Sequence, residues 1–210
     1  SDLMTIRSSL RAAGVFAART LGLALLAQAA AFAHPGHELP IAGSMLAAGF
    51  VHPLTGLDHL FAMIAVGLWA ASTHENIKQA IWTPVSFLCL LLCGALMGIA
   101  GMGGAGAEPM IMASLFVLGL LVASRRSMPG WAAAALVGLF AVFHGIAHGA
   151  ELPANGSAAA FIAGFMLSTL MLHGVGLAAG FALKRRGAWL TRMAGVGIAA
   201  YGVALFTMAA

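Results

Sequence analysis

The amino-acid sequence predicts an all-α, polytopic membrane helix bundle of about six transmembrane helices behind a cleavable signal peptide. Three observations carry that expectation. The 210 residues are 61% hydrophobic and only 8% charged, with a mean hydropathy of +0.99, whereas a soluble domain carries roughly a quarter charged residues. Apolar runs close to the roughly 20 residues that a bilayer demands recur along the chain. The Lys and Arg residues fall in short clusters between those runs. Ten Lys and Arg with six Asp and Glu cannot coat a globule of this length in water, which excludes a soluble enzyme, a nucleic-acid binder and a disordered chain.

The elements follow in order. Arg7, Arg11 and Arg19 precede the apolar stretch 21–30, and Ala31-Phe32-Ala33 presents the small-x-small pattern that signal peptidase reads. A signal peptide over residues 1–33 and a single transmembrane domain over 34–210 are therefore expected, with the mature chain starting at His34. An uncleaved first helix is the alternative. Beyond His34 the apolar runs are 41–71, 80–100, 110–124, 131–149, 158–183 and 189–208. The first is too long for one straight helix and contains His52-Pro53, so it reads as a short leading segment, a break near Pro53, and then a helix.

Charge sets the orientation. Lys78, the Arg125-Arg126 pair and Lys184-Arg185-Arg186 mark three connections as cytoplasmic, while the alternate connections 101–109 and 150–157 hold no Lys or Arg. Trp69, Trp82, Trp131 and Trp189 all fall at the same ends, as interfacial indoles do. The expected location is a bacterial inner membrane, with both ends of the mature chain in the periplasm. The 27 glycines suit close helix packing in lipid, where small residues let backbones approach.

A charge at the bilayer centre costs about 2.5 to 3.5 kcal/mol even on the gentler insertion scales, so ionisable residues inside the apolar runs are functional candidates. His52, Asp58 and His59 flank or follow Pro53; His144 and His148 lie four apart, one turn along a single helix face, with Glu151 behind them; His173 sits deep in the fifth run. Imidazole nitrogen and carboxylate oxygen are the donors of a divalent transition-metal site and suit nickel, cobalt or zinc. For a set this large, each buried polar group needs a partner, and the available partners are one another or an ion.

The expected mature terminus, His34-Pro35-Gly36-His37-Glu38, adds a second feature. Once cleaved, the α-amine and imidazole of His34 form a chelating pair that His37 and Glu38 can complete. Pro35 has no N–H and so blocks the square-planar amide site, leaving a labile capture site. Cys89 and Cys93 lie four apart in one run; no disulfide framework follows, and packing as small apolar side chains is the expectation. His74 and Glu75 read as members of a solvated connection beside Lys78. No nucleotide-binding loop, serine-hydrolase elbow or H-E-x-x-H stands in the chain.

The string from Gly49 to Leu60, GFVHPLTGLDHL, the segment His34-Pro35-Gly36-His37-Glu38 behind a signal peptide, and His144-Gly145-x-Ala147-His148-Gly149-x-Glu151 together resemble the HupE/UreJ family across essentially the whole chain. The resemblance implies a nickel permease serving hydrogenase or urease maturation, with cobalt as the alternative ion. It implies His52, Asp58 and His59 as the first-span metal path, His144, His148 and Glu151 as the fourth-span one, and cytoplasmic nickel chaperones as candidate partners. The ion is cargo, so no resident cofactor is expected. Facilitated diffusion and proton-linked exchange both remain open, as do the rival readings of an intramembrane metalloenzyme and a membrane metallochaperone.

Overall fold

The computed structural model describes residues 44–103, 106–152 and 156–209, and regular structure among these is helical throughout. The helices are α1 (Met45–Thr55), α2 (Leu57–Thr73), the single turn α3 (Ile77–Ala80), α4 (Trp82–Ile99), α5 (Ala107–Ser124), α6 (Gly130–Ala150), α7 (Ala158–Arg186) and α8 (Ala188–Ala209). Five segments are long and apolar enough to cross a membrane, the first of them running Ile77–Ile99 through α3 and α4. α1 and α2, bent by 81° at their junction, pass the same test only as a pair, which brings the number to six when the pair is counted as one broken span. The chain is thus a polytopic helical membrane bundle. Residues 1–43, where the leader and the terminal chelate of His34, His37 and Glu38 are expected, lie outside the described residues.

The break expected near Pro53 falls three residues on, at Gly56, and Pro53 itself sits inside α1. Gly56 has φ −95° and ψ 112°, closing α1 and opening α2 at once. Two local bonds fix it there. The Thr55 hydroxyl donates to the His52 carbonyl at 2.8 Å, and the Asp58 carboxylate accepts the His59 backbone N–H at 2.9 Å, satisfying one of the four orphan donors of a helix start. Glycine followed two residues later by an acid is itself a helix-start signal.

The bundle is assembled from close helix pairs, α4 with α6, α5 with α8, and both α1 and α2 with α7. Glycines make these contacts reciprocally. A Cβ on Gly94 would strike the Val142 carbonyl and one on Gly145 the Leu91 carbonyl; Gly67 and Gly176 stand in the same relation across α2 and α7, and Gly119 and Gly195 across α5 and α8. Backbone against backbone is how helices associate where lipid removes the hydrophobic drive for larger side chains.

This packing turns polar groups inward. Ser114, His144, His148, Thr169, His173 and Thr191 are all buried, while Leu96, Leu120, Leu170, Met171 and Val196 are exposed on the outside. Cys89 and Cys93, expected to pack as interior hydrophobes, are exposed on α4 instead. Their 4-residue spacing does hold them on one face, but α4 spends its inner face on glycines and Phe87, so the thiols point outward.

Trp82, Trp131 and Trp189 are 64–78% exposed, as interfacial indoles, but Trp69 is 1% exposed. Its indole N–H instead donates to the Arg126 carbonyl at 2.9 Å, next to Arg125 in its left-handed helix-closing conformation. The Lys184 ammonium donates to the His74 carbonyl at 2.9 Å. The basic connections are thereby tied to the C-terminal end of α2, about 25 Å along its 17 residues from its histidine-bearing start.

Candidate metal centre

The bend at Gly56 has a chemical consequence: it lets α1 and α2 present His52 and His59 from two directions toward α6. On α6, His144 and His148 are one turn apart and both buried, so they face the same interior line. The imidazoles stack into a continuous series. His52 meets His148 at 4.6 Å between ring centroids, His148 meets His59 at 4.0 Å, and His59 meets His144 at 4.7 Å.

Carboxylates and a hydroxyl orient these rings. His52 Nε2–H donates to Glu151 Oε2 at 3.0 Å, and His148 Nδ1 lies 3.7 Å from the same oxygen. Asp58 Oδ1, 3.1 Å from His59 Nδ1, can only accept when ionised, so it holds the proton on Nδ1 and leaves the lone pair of His59 on Nε2. Ser114 gives its own proton to the Ile111 carbonyl at 2.6 Å, so toward His144 Nε2, 3.0 Å away, it acts as acceptor. That places the His144 lone pair on Nδ1. Both nitrogens left with lone pairs, His59 Nε2 and His144 Nδ1, are buried without a hydrogen-bond partner, as are both nitrogens of His148. Buried polar atoms are normally satisfied, and a cluster of exceptions marks a candidate site.

The outer three donors already converge. One ligand atom each from His52, His148 and Glu151 lies within 4.8 Å of the others, against the roughly 3 to 3.5 Å between two donors bound at about 2.0 to 2.2 Å to one ion. Burial of the Glu151 carboxyl works to raise its pKa, but the His148 and His52 imidazoles outweigh burial and hold it well below the usual carboxylate range. The mouth of the site therefore carries a fixed negative charge. Phe161, at 5.6 Å from His52, and Phe165, at 4.3 Å from His148, wall it with rings that offer no competing donor.

The structure thus brings His52, Asp58, His59, His144, His148 and Glu151 together from two distant stretches of sequence. His173 is buried on α7 but stands apart, packed edge-on against Phe87 at 5.0 Å. His74, read as solvated, is half-buried, its Nδ1–H donating to the Ala70 carbonyl at 2.9 Å at the end of α2. Ser114 was not anticipated, although a hydroxyl in the middle of an apolar run is the kind of polar residue that had flagged the histidines. Phe87, Phe161 and Phe165 carry no such signal.

The family model described as HupE / UreJ protein matches residues 21–205. The chain is 40% identical over 161 residues to Protein HupE of Rhizobium leguminosarum bv. viciae, an alignment covering 75% of this chain and 82% of that one. No solved structure matches it.

Proposed function

The chain belongs to the HupE / UreJ family, whose members are hydrogenase and urease accessory proteins of nickel or cobalt transport, and on that premise we propose that it is a nucleotide-independent permease carrying Ni²⁺ inward across the bacterial inner membrane. The observation that carries the reading is the run of four imidazoles from His52 to His144, with its unpartnered lone pairs and an ionised Glu151 at one end. Borderline nitrogen donors with a carboxylate suit nickel or cobalt over harder ions. A series of overlapping positions, none enclosed by a full ligand set, suits passage over storage. The positive-inside rule supports an orientation with the Glu151 end outward and the Lys78, Arg126 and Lys184 end in the cytoplasm. Asp58 and Ser114 then act on the ion through the histidines they orient, as the outer partners of metal-binding imidazoles generally do. Metal binding displaces protons from imidazole, so proton-linked exchange and simple facilitated diffusion are both compatible with the donor set.

Uptake into proteoliposomes with nickel, cobalt, zinc and manganese in parallel tests the proposal. Nucleotide-free accumulation of nickel is the expected result, and preferential cobalt uptake would reassign the ion within the same mechanism. Stoichiometric metal retention without any uptake would overturn transport in favour of a chaperone or a metalloenzyme.

A further inference from the structure

His173 is 1% exposed, and neither of its ring nitrogens finds a hydrogen-bond partner. One turn before it on the same face of α7 is Thr169, fully buried with its hydroxyl also unpartnered. Packing explains neither group, because a phenyl ring and a valine would fill the same space without stranding polar atoms. The ring between them and the outer cluster belongs to Phe87, which is 0% exposed and lies 5.0 Å from His173 and 6.1 Å from His144. His173 pairs with no other ring among the described residues.

One turn before Phe87 on α4 is Thr83, which lines a half-open cavity of about 460 Å³ together with His74, Lys78, Trp82, Met128 and Ala133. That cavity lies at the end of the bundle holding the basic connections, away from Glu151.

Resting on the reading of the outer cluster as a metal-capture site, we propose that His173 is a second, inner metal station, that Phe87 is the plug dividing it from the outer cluster, and that the ion leaves through the cavity beneath Thr83. A phenyl ring offers no donor to a divalent ion, so an ion held by His144 cannot advance while Phe87 keeps this rotamer. Rotation of the ring exchanges the outer nitrogen ligands for His173, with Thr169 as an oxygen donor on the same face. On the far side the half-open cleft is lined by His74 and by the exposed Lys78, so an ion leaving there meets a single imidazole beside a repelling charge, which favours passage over retention.

The experiment uses the full chain in proteoliposomes with Ni²⁺ or Cd²⁺ as the probe, alongside Ni²⁺ titration of the same protein in detergent. His173→Phe keeps a ring of similar size and removes both nitrogens. It is expected to lower Ni²⁺ uptake at least tenfold, with the outer-site Kd within twofold of wild type and an unchanged thermal midpoint. His173→Cys, which restores a soft donor, is expected to raise the ratio of Cd²⁺ to Ni²⁺ uptake severalfold. Phe87→Ala is expected to speed uptake and weaken discrimination between metals. Wild-type Ni²⁺ uptake in His173→Phe, or an unaltered metal preference in His173→Cys, would overturn the inner station. If uptake is abolished by His148→Ala but indifferent to His173, only this inference fails; if wild type takes up no metal, the reading of the outer cluster fails with it.

Discussion

Asp58 Oδ1 accepts both the backbone N–H and the ring Nδ1–H of His59, at 2.9 and 3.1 Å. One carboxylate oxygen therefore starts helix α2 and sets the tautomer of the histidine beside it. Structural and chemical roles converge on a single atom, so the two can be separated only by a substitution that keeps an acceptor for the His59 backbone N–H.

Asp58→Asn does that. The amide oxygen can still accept from the His59 N–H, so the variant is expected in the membrane at near wild-type levels. Its neutral amide no longer enforces a proton on Nδ1, and metal affinity is expected to fall about 10- to 100-fold, as for other outer partners of metal-binding histidines. Titration of the purified variant with Ni²⁺ checks this, and wild-type affinity would show that Asp58 serves only the helix start.

Ser114→Ala removes the acceptor of the His144 Nε2–H. The stranded buried donor costs about 1 to 3 kcal/mol, and the ring is free to move its proton to Nδ1, blocking the lone pair. Nickel uptake per folded molecule is expected to drop about tenfold or more, with His144→Ala losing most of it. Equal uptake in Ser114→Ala and wild type would remove the tautomer argument.

Glu151 gives a pH dependence with a definite sign. Its folded pKa lies below the ordinary value of 4.5, so its stabilising contribution is complete above that value and is lost as pH falls through the depressed folded pKa. Thermal midpoints in detergent are expected to hold for wild type from pH 7 to 5 and to fall below about pH 4.5, with a smaller acid-induced drop in Glu151→Gln. Matching pH profiles for the two proteins would contradict the hydrogen-bonded role of this carboxylate.

Gly145→Val tests the helix pairing that brings the histidines together. The added side chain meets the Leu91 carbonyl on α4, which as backbone cannot turn aside. Overpacking of this kind costs about 1 to 3 kcal/mol or more, so membrane yield and thermal midpoint are both expected to fall. Gly130→Ala, where a Cβ meets nothing within 4 Å, is expected to match wild type in the same measurements.

Orientation is open to direct labelling. On a background lacking Cys89 and Cys93, Ser127→Cys is expected to react with an impermeant thiol reagent only from the cytoplasmic side and Asn155→Cys only from the periplasmic side. Labelling of both from outside would invert or break the proposed topology. In the native membrane, terminal sequencing is expected to find His34 first; a chain still carrying Arg7 would remove the terminal chelate.

Much of this molecule is legible without coordinates because the bilayer is a demanding solvent. Backbone groups must be paired within each span, so hydropathy alone yields helices and their approximate bounds. The same penalty on buried charge made His52, Asp58, His59, His144, His148 and Glu151 conspicuous. Spacing placed His144 and His148 on one face because helix geometry is periodic and local.

What the sequence by itself determined is therefore everything that depends on a residue and its solvent or its near neighbours: the helical class, the spans and which residues are candidate donors. Only the tertiary structure decided that Glu151 reaches back to His52 across 99 positions of chain, that Ser114 on another helix chooses the lone pair of His144, and that Phe87 stands before His173. Those relations depend on which glycine-lined faces meet. Glycines at similar spacing occur on several helices, so the pairing is settled by how all the helices pack at once, not by any one stretch of chain.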